Sequence, residues 1–155
     1  MTILGYLDMH VFPAAFALLP VGMDSAPARA MLVAIGLQES RFKYRKQVGG
    51  PAHGFWQFEH GGGVRGVLQH PQTRNTIREV LTALAYDDTT LTSYNAIVDN
   101  DVLACCYARL LLFTLPNTLP AKGDADEGWR QYISAWRPGK PHRGTWDAFY
   151  AQAWA

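Results

Sequence analysis

The chain has 155 residues, of which 48% are hydrophobic and 17% are charged, and its formal net charge is +1. This length predicts one domain with a substantial core. The charged fraction lies below the average of about 25% for globular proteins, which excludes a disordered chain. No basic run is longer than residues 41–46. Nucleic acid is therefore not expected as the main ligand, because phosphate neutralisation needs a basic stripe.

The first part of the chain contains an apolar segment at residues 11–20. Pro13 and Pro20 interrupt this segment, and no Lys or Arg precedes it. A secretory signal needs a positive leading region, and a membrane span needs about twenty uninterrupted apolar residues. We therefore expect no signal peptide and no membrane span, and we interpret residues 1–23 as a segment that docks on the domain.

The next segment predicts a buried helix that ends near Glu39. Asp24 or Ser25 can cap it, and Pro27 suits its first turn. Residues 31–37 carry no charged or hydrogen-bonding side chain, which is typical of a core helix. Ala28, Leu32 and Ile35 form an apolar stripe on this helix, and Glu39 lies on the same line at position i+11. A carboxyl group is therefore predicted on an apolar line.

The rest of the chain predicts further helices separated by Pro- and Gly-containing turns. A polar connection over 41–52 leads to an aromatic loop. Helices are then predicted over 64–68, from Thr73 or Asn75 to Ala85, from Asp99 or Asn100 to about Phe113, over 126–136, and over 146–154 with Thr145 as cap. The Thr-rich segment 87–95 can be strand or loop. Residues 1–155 are expected to form one mainly α-helical domain of six or more helices, with room for a small β-element.

The two cysteines, Cys105 and Cys106, are adjacent within a helical pattern. Sequence neighbours on a helix cannot form a disulfide without strain, so both are predicted to be reduced core thiols. None of the five histidines has the spacing of a zinc site. We therefore expect neither a metal nor another cofactor.

Two motifs in the first half of the chain resemble those of the lytic transglycosylases and goose-type lysozymes. Residues 32–42, LVAIGLQESRF, are similar to the first motif, in which an apolar helix ends in Glu-Ser. Residues 54–57, GFWQ, are similar to the second, usually Gly-Leu-Met-Gln, with Trp56 in place of Met.

Two weaker matches follow in the order of that superfamily. Asn100, Ala104 and Tyr107 have the spacing of the third motif, Asn-x3-Gly-x2-Tyr, with Ala104 in place of Gly. Residues 135–139, AWRPG, are similar to the fourth motif, Ala-Tyr-Asn-Ala-Gly, but only the first and last residues agree. The gap between the second and third motifs is expected to be longer than usual.

The resemblance implies a lysozyme-like domain over residues 1–155 that cleaves the β-1,4 bond between N-acetylmuramic acid and N-acetylglucosamine in peptidoglycan. Glu39 matches the catalytic acid. In the lytic transglycosylases one Glu protonates the leaving oxygen and then assists the C6 hydroxyl of the sugar, which forms a 1,6-anhydro ring. In a hydrolytic muramidase, the alternative, water takes the place of that hydroxyl.

The position of Glu39 fits an acid independently of the resemblance. Burial disfavours the carboxylate and raises the pKa, and the partial negative charge of a helix C-terminus acts in the same direction. A raised pKa suits a proton donor near neutral pH. The alternative is a surface Glu that pairs with Arg41 or Arg45.

A second carboxylate would favour hydrolysis. Glu59 is the candidate by position, since it lies twenty residues after Glu39 and beside the aromatic loop. The alternative is a loop residue that pairs with Arg65 or His60. The absence of a well-placed Asp favours the transglycosylase reaction.

Three polar residues are candidates for substrate binding. Gln57 can hydrogen-bond a sugar amide, or it can satisfy the backbone of its own loop. Ser40 can orient Glu39, or it can tie the helix end to the next loop. By resemblance, Tyr107 faces the catalytic site.

Aromatic side chains offer flat faces for sugar rings, and Trp56, Tyr132 and Trp136 are the candidates. The alternative for each of them is a packing role in the core. Trp56 is the foremost of them because it lies within the second motif. Trp136 takes the place of the Tyr in the fourth motif. The remaining large aromatic residues are assigned to packing: Trp129, Trp146, Phe149 and Trp154.

By analogy, the small size and the expected lack of a signal or a wall-binding domain suggest a bacteriophage protein. It would be virion-associated or released to the host periplasm and cell wall. Its partners would be peptidoglycan glycan strands, and also virion or tail proteins.

Two non-enzymatic alternatives remain. One is a virion protein that keeps the scaffold without activity, which Arg137 in place of Asn favours. The other is a helical adaptor in which Glu39 pairs with Arg41.

Overall fold

The computed structural model describes residues Met1–Ala155 and shows a mainly helical protein, which confirms the predicted fold class. The α-helices, numbered in chain order, are α1 (Ile3–Tyr6), α2 (Phe12–Leu18), α3 (Ala26–Ser40), α4 (Arg65–Gln69), α5 (Arg74–Ala83), α6 (Thr90–Asp99), α7 (Asp101–Phe113), α8 (Ala125–Trp136) and α9 (Arg143–Ala153). Two π-helical turns, Leu7–Val11 and His60–Val64, precede α2 and α4. The β-structure consists of two isolated antiparallel bridges, Lys46 with His53 and His53 with Phe58.

Helix α3 forms as predicted and lies in the core. The Ser25 hydroxyl accepts a hydrogen bond from the amide of Ala28 at 3.1 Å, and proline occupies the first turn. Every residue from 30 to 37 is buried. Gly36 is needed for packing, because a Cβ at this position would lie 2.0 Å from Cζ of Phe42. The helix ends at Arg41, which adopts a left-handed conformation with φ of 58°.

Helix α7 is the second core helix. Asn100 caps it, since its side chain accepts from the amide of Leu103 at 3.0 Å. Residues 103–112 are all buried. The N-terminal segment packs on α7 through α2, and its inward side chains are fully buried: Leu7, Val11, Phe12 and Ala15. Residues 1–23 therefore contribute to the core of the domain.

Apart from shifts of one or two residues at other helix ends, two predicted features differ from the structure. The Thr-rich segment becomes helix α6, whose start is capped by Thr89 through the amide of Thr92 at 3.1 Å. Thr145 does not cap α9, which already begins at Arg143. The Thr145 hydroxyl instead donates to Oε1 of Gln38 at 2.9 Å and thereby joins α9 to the end of α3.

None of the helices combines the length and the apolar character that crossing a membrane would require.

Candidate active site

Glu39 lies on the last turn of α3 and is half-buried at the edge of a surface cleft. The Tyr132 hydroxyl of α8 donates a hydrogen bond to its Oε2 at 3.1 Å. Burial raises the pKa of Glu39 from 4.5 to about 7. The hydrogen bond from Tyr132 lowers the pKa, whereas the negative charge of Glu59 raises it. At neutral pH this carboxyl group is therefore divided between its protonated and ionised forms.

The two arginines near Glu39 bind elsewhere, so the predicted alternative of an ion pair with Glu39 is wrong. Nη1 of Arg41 donates to the backbone oxygens of Leu37 at 2.6 Å and Gln38 at 2.8 Å. Arg45 pairs with Asp101 through two bonds of 2.9 Å. These bonds place the Arg41 charge at the C-terminal carbonyls of α3, where it opposes the expected effect of the helix end on Glu39. Burial is the main cause of the raised pKa.

The second-motif loop packs under the cleft. Gly54 has a positive φ of 79°, and a Cβ there would lie 2.4 Å from Cγ2 of Ile97, so only glycine fits. Trp56 follows and has no exposed surface. Its Nε1 donates to the carbonyl oxygen of Leu32 at 2.8 Å. The prediction that Trp56 stacks on a sugar is therefore wrong, because the apolar interior already covers both of its faces.

Ser40 ties the end of α3 to the next loop, as the second of its two predicted roles requires, and it also lines a cavity beside Glu39. Its side chain is buried, and its hydroxyl donates to the backbone oxygen of Phe55 at 2.6 Å. The same hydroxyl accepts from the amide of Phe42 at 3.1 Å. The two residues of the Glu-Ser pair thus have different roles. Ser40 connects the end of α3 to the second-motif loop, and Glu39 lines the cleft.

Tyr107 does not face Glu39, so that part of the resemblance is not reproduced. The ring is fully buried and packs edge-on against Phe58, with 5.8 Å between centroids. Its hydroxyl donates to Oγ of Ser93 at 2.6 Å. The tyrosine that contacts Glu39 is Tyr132, for which the sequence predicts a sugar-stacking role. That prediction is wrong, because Tyr132 is only 2% exposed. The sequence does contain a signal that Tyr132 lies near the site. Tyr132 precedes Trp136 of the fourth motif by four residues, so both lie on the same face of α8.

The cleft consists of three neighbouring cavities, here called proximal, central and distal. The proximal cavity has a volume of about 320 Å³ and the central one about 400 Å³. They share Glu39, Gln47 and Gln57, so the candidate acid lies where they meet. Tyr44 lines the proximal cavity and is 52% exposed, which makes it an available aromatic face. The sequence places Tyr44 in a polar connection, which gave no signal for this role.

The distal cavity extends the cleft and has a volume of about 510 Å³. It shares Glu59, Trp136 and Arg137 with the central cavity. The three cavities therefore form one elongated groove on the side of α3 and α8. Lys140 adds a second exposed cation to the central wall. The sequence motifs assign neither Arg137 nor Lys140 to substrate binding.

Trp136 and Gln57 lie in the groove, as their assignments require. Trp136 is half-buried, and its Nε1 donates to the backbone oxygen of Trp56 at 2.8 Å, which fixes the ring. Gln57 is half-buried as well, and its Nε2 donates to the oxygen of Gly54 at 2.8 Å. The Gln57 amide thus satisfies its own loop, and its Oε1 has no partner within the protein and can accept from a ligand.

Glu59 is exposed and lines the central and distal cavities. It forms no ion pair, so the alternative in which it binds Arg65 is wrong. His60 instead packs edge-on against Tyr94, with 5.5 Å between ring centroids. The groove therefore contains two carboxyl groups, one shielded and one solvated.

No group of three or more His, Cys, Asp or Glu side chains is arranged to hold a metal ion. Comparisons with protein-family models, curated proteins and solved structures found no match to this chain. The resemblance to lytic transglycosylases and goose-type lysozymes therefore rests on the short sequence motifs alone.

Proposed function

We propose that the protein cleaves the β-1,4 bond between N-acetylmuramic acid and N-acetylglucosamine in peptidoglycan, as a lytic transglycosylase with Glu39 as general acid and base. The observation that carries this proposal is the raised pKa of Glu39, about 7, at the junction of two cavities of an elongated groove. A general acid works best when its pKa lies near the operating pH.

In the proposed reaction, protonated Glu39 gives its proton to the glycosidic oxygen as the bond to the sugar C1 breaks. The resulting carboxylate then accepts the proton of the C6 hydroxyl, whose oxygen forms the new bond to C1. The products are a 1,6-anhydro sugar and a free hydroxyl on the leaving sugar. The same group must hold and release a proton within one cycle, which a pKa of about 7 permits.

The lining of the groove supports a glycan substrate. Gln47 and Gln57 supply neutral amides beside Glu39, where N-acetyl groups need neutral partners. Tyr44 and Trp136 place aromatic faces in different cavities, and sugar rings bind to such faces. Arg137 and Lys140 suit the carboxylates that peptidoglycan carries.

A second candidate is hydrolysis of the same bond, and the position of Glu59 favours it. Both Glu39 and Glu59 line the central cavity. Paired carboxyl groups across a glycosidic bond are the usual arrangement of glycoside hydrolases, in which the second one activates water or attacks the sugar. In that reaction the product has a reducing end instead of an anhydro ring.

Digestion of purified peptidoglycan followed by mass spectrometry of the fragments tests both candidates. Anhydro ends released by the protein, and not by its Glu39→Gln variant, are the expected result. Reducing ends would make the protein a muramidase. Absence of cleavage would overturn the enzymatic proposal and favour a virion protein that retains the scaffold alone. Action on the cell wall during bacteriophage entry or lysis belongs to the same proposal, by analogy.

A further inference from the structure

Arg109 on α7 is a buried cation without a counterion. Its side chain is 6% exposed, and its Nε donates to the backbone oxygen of Met23 at 2.9 Å. Neither Nη forms a hydrogen bond within the protein, and no carboxylate pairs with the guanidinium. A guanidinium stays charged in proteins, and neither Nη is fully enclosed by the protein, so both remain open to a ligand. The arrangement therefore provides unused donors for an anion.

Arg109 lines a cavity of about 350 Å³, here called the Arg109 pocket. Its other polar lining residues are neutral: Gln72, Asn117 and Thr118. The remaining lining residues are apolar: Leu112, Phe113, Leu115, Pro116 and Leu119. No acidic side chain competes for the guanidinium. One cation, neutral hydrogen-bonding groups and an apolar wall suit a small organic acid that has both amide and methyl groups.

The Arg109 pocket borders the groove. Leu115 lines both this pocket and the distal cavity, which also contains Glu59 and Trp136. A polymer in the groove that carries side branches can therefore place a branch in the Arg109 pocket. A glycan without branches leaves the pocket empty.

We propose that the Arg109 pocket binds the free carboxylate at the end of a short peptide, and that the substrate is glycan that still bears its peptides. This inference rests on the proposed function of the groove. The planar guanidinium can bind a carboxylate through two parallel hydrogen bonds. Asn117 and Thr118 face the peptide amides, and the apolar wall contacts alanine-sized side chains.

Calorimetric titration of the intact protein with N-acetyl-D-alanyl-D-alanine tests the pocket directly. The dipeptide acid is expected to bind, and its C-terminal amide to bind about 10- to 100-fold more weakly, because the charge-assisted bonds are lost. Equal binding of acid and amide, or no binding of either, would overturn the proposal. Displacement of the dipeptide by an equal concentration of inorganic phosphate would also overturn it, because the pocket would then accept any anion.

A negative charge introduced beside Arg109 tests the pocket, and the same charge introduced elsewhere on the surface serves as its control. Asn117 is exposed, so Asn117→Asp should fold normally while its carboxylate competes for Arg109. Dipeptide affinity should fall about 10-fold or more. Asn95→Asp adds the same charge at an exposed position on α6 that lines none of these cavities, and it should bind as the parent does. Equal losses in both variants would refute a local role of the pocket.

Cleavage assays separate this inference from the proposed function. Asn117→Asp should slow cleavage of peptide-bearing glycan much more than cleavage of peptide-free glycan, whereas Asn95→Asp should leave both rates unchanged. Equal slowing of both substrates would contradict the peptide subsite and leave the enzyme intact. If the parent protein cleaves neither substrate, the proposed function fails, while the dipeptide titration still decides whether the pocket binds a peptide carboxylate.

Discussion

The Tyr132 hydroxyl donates to Oε2 of Glu39 at 3.1 Å, across 93 positions of the chain. The Tyr132 ring is held by Trp146, which stacks on it with 5.2 Å between centroids and an interplanar angle of 9°. This hydrogen bond stabilises the ionised form of Glu39, whereas burial stabilises the protonated form. Tyr132 is thus a positioning residue that limits the rise of the Glu39 pKa.

Tyr132→Phe should move the alkaline limb of the pH–rate profile to higher pH. Loss of the hydrogen bond removes an interaction that lowers the pKa of Glu39, so the acid stays protonated further above pH 7. The pH dependence of kcat/KM on soluble glycan reports this limb. Tyr107→Phe removes a different buried hydroxyl, bonded to Ser93, and should leave the limb in place. A limb that moves equally in both variants would contradict the assignment.

Glu39→Gln should abolish nearly all cleavage while the protein stays folded. The substitution keeps the shape of the side chain and removes the proton donor, and general acid catalysis contributes about 10²- to 10⁴-fold to the rate. The Glu79→Gln variant alters an exposed glutamate on α5 and should retain full activity. Activity near that of the parent in a folded Glu39→Gln protein would end the glycosidase proposal.

The stability of Glu39→Gln relative to the parent should depend on pH. Because the folded-state pKa is raised from 4.5 to about 7, the parent is stabilised at low pH relative to high pH, and this stability is lost as pH rises through that window. The variant should therefore gain up to about 3 kcal/mol on the parent above pH 7 and little below pH 4.5. Urea unfolding of both proteins at pH 4, 6 and 8 measures the difference. A constant difference would contradict the raised pKa.

Helix α3 and its terminal carboxyl group were predictable because they depend on local signals, namely the Ser25 cap, the proline and an uninterrupted apolar run. The partners of Glu39 were not. Tyr132 and Glu39 meet only because α8 and α3 both pack against α9, and no spacing in the sequence encodes that contact. The burial of Trp56 was not predictable either. A tryptophan in the second motif can pack in the core or contact a sugar, and the residue type alone does not distinguish these two roles.

Glu59→Gln tests the reaction type. If Glu39 alone carries the chemistry, the loss of activity should be modest and anhydro products should persist. Removal of the negative charge should also lower the pKa of Glu39 and move the alkaline limb to lower pH, opposite to the effect of Tyr132→Phe. A loss as large as that of Glu39→Gln would assign Glu59 to catalysis and make hydrolysis the better interpretation.

The two tryptophans should respond differently to substitution by alanine. Trp136→Ala removes an aromatic face from the groove and should weaken binding of glycan oligomers by about 0.5–1.5 kcal/mol. Trp56→Ala empties a fully buried site and should lower the free energy of unfolding by about 3–5 kcal/mol. Oligomer titration and urea unfolding of both variants separate binding from stability. A stable Trp56→Ala protein with a binding defect would contradict the burial argument.

The cysteines should be dispensable for cleavage. Both are free and buried, and burial raises the pKa of the Cys106 thiol to about 12, so neither supplies a thiolate. Replacing both by alanine should cost about 1 kcal/mol each in stability and leave the cleavage rate unchanged. Cys105→Ser should destabilise more than Cys106→Ser, because the Cys106→Ser hydroxyl gains an acceptor outside its own helix, the Ala15 oxygen that lies 3.7 Å from the present sulfur. Thermal unfolding ranks the variants. A folded double-alanine variant without activity would make a thiol the nucleophile and reject the glycosidase proposal.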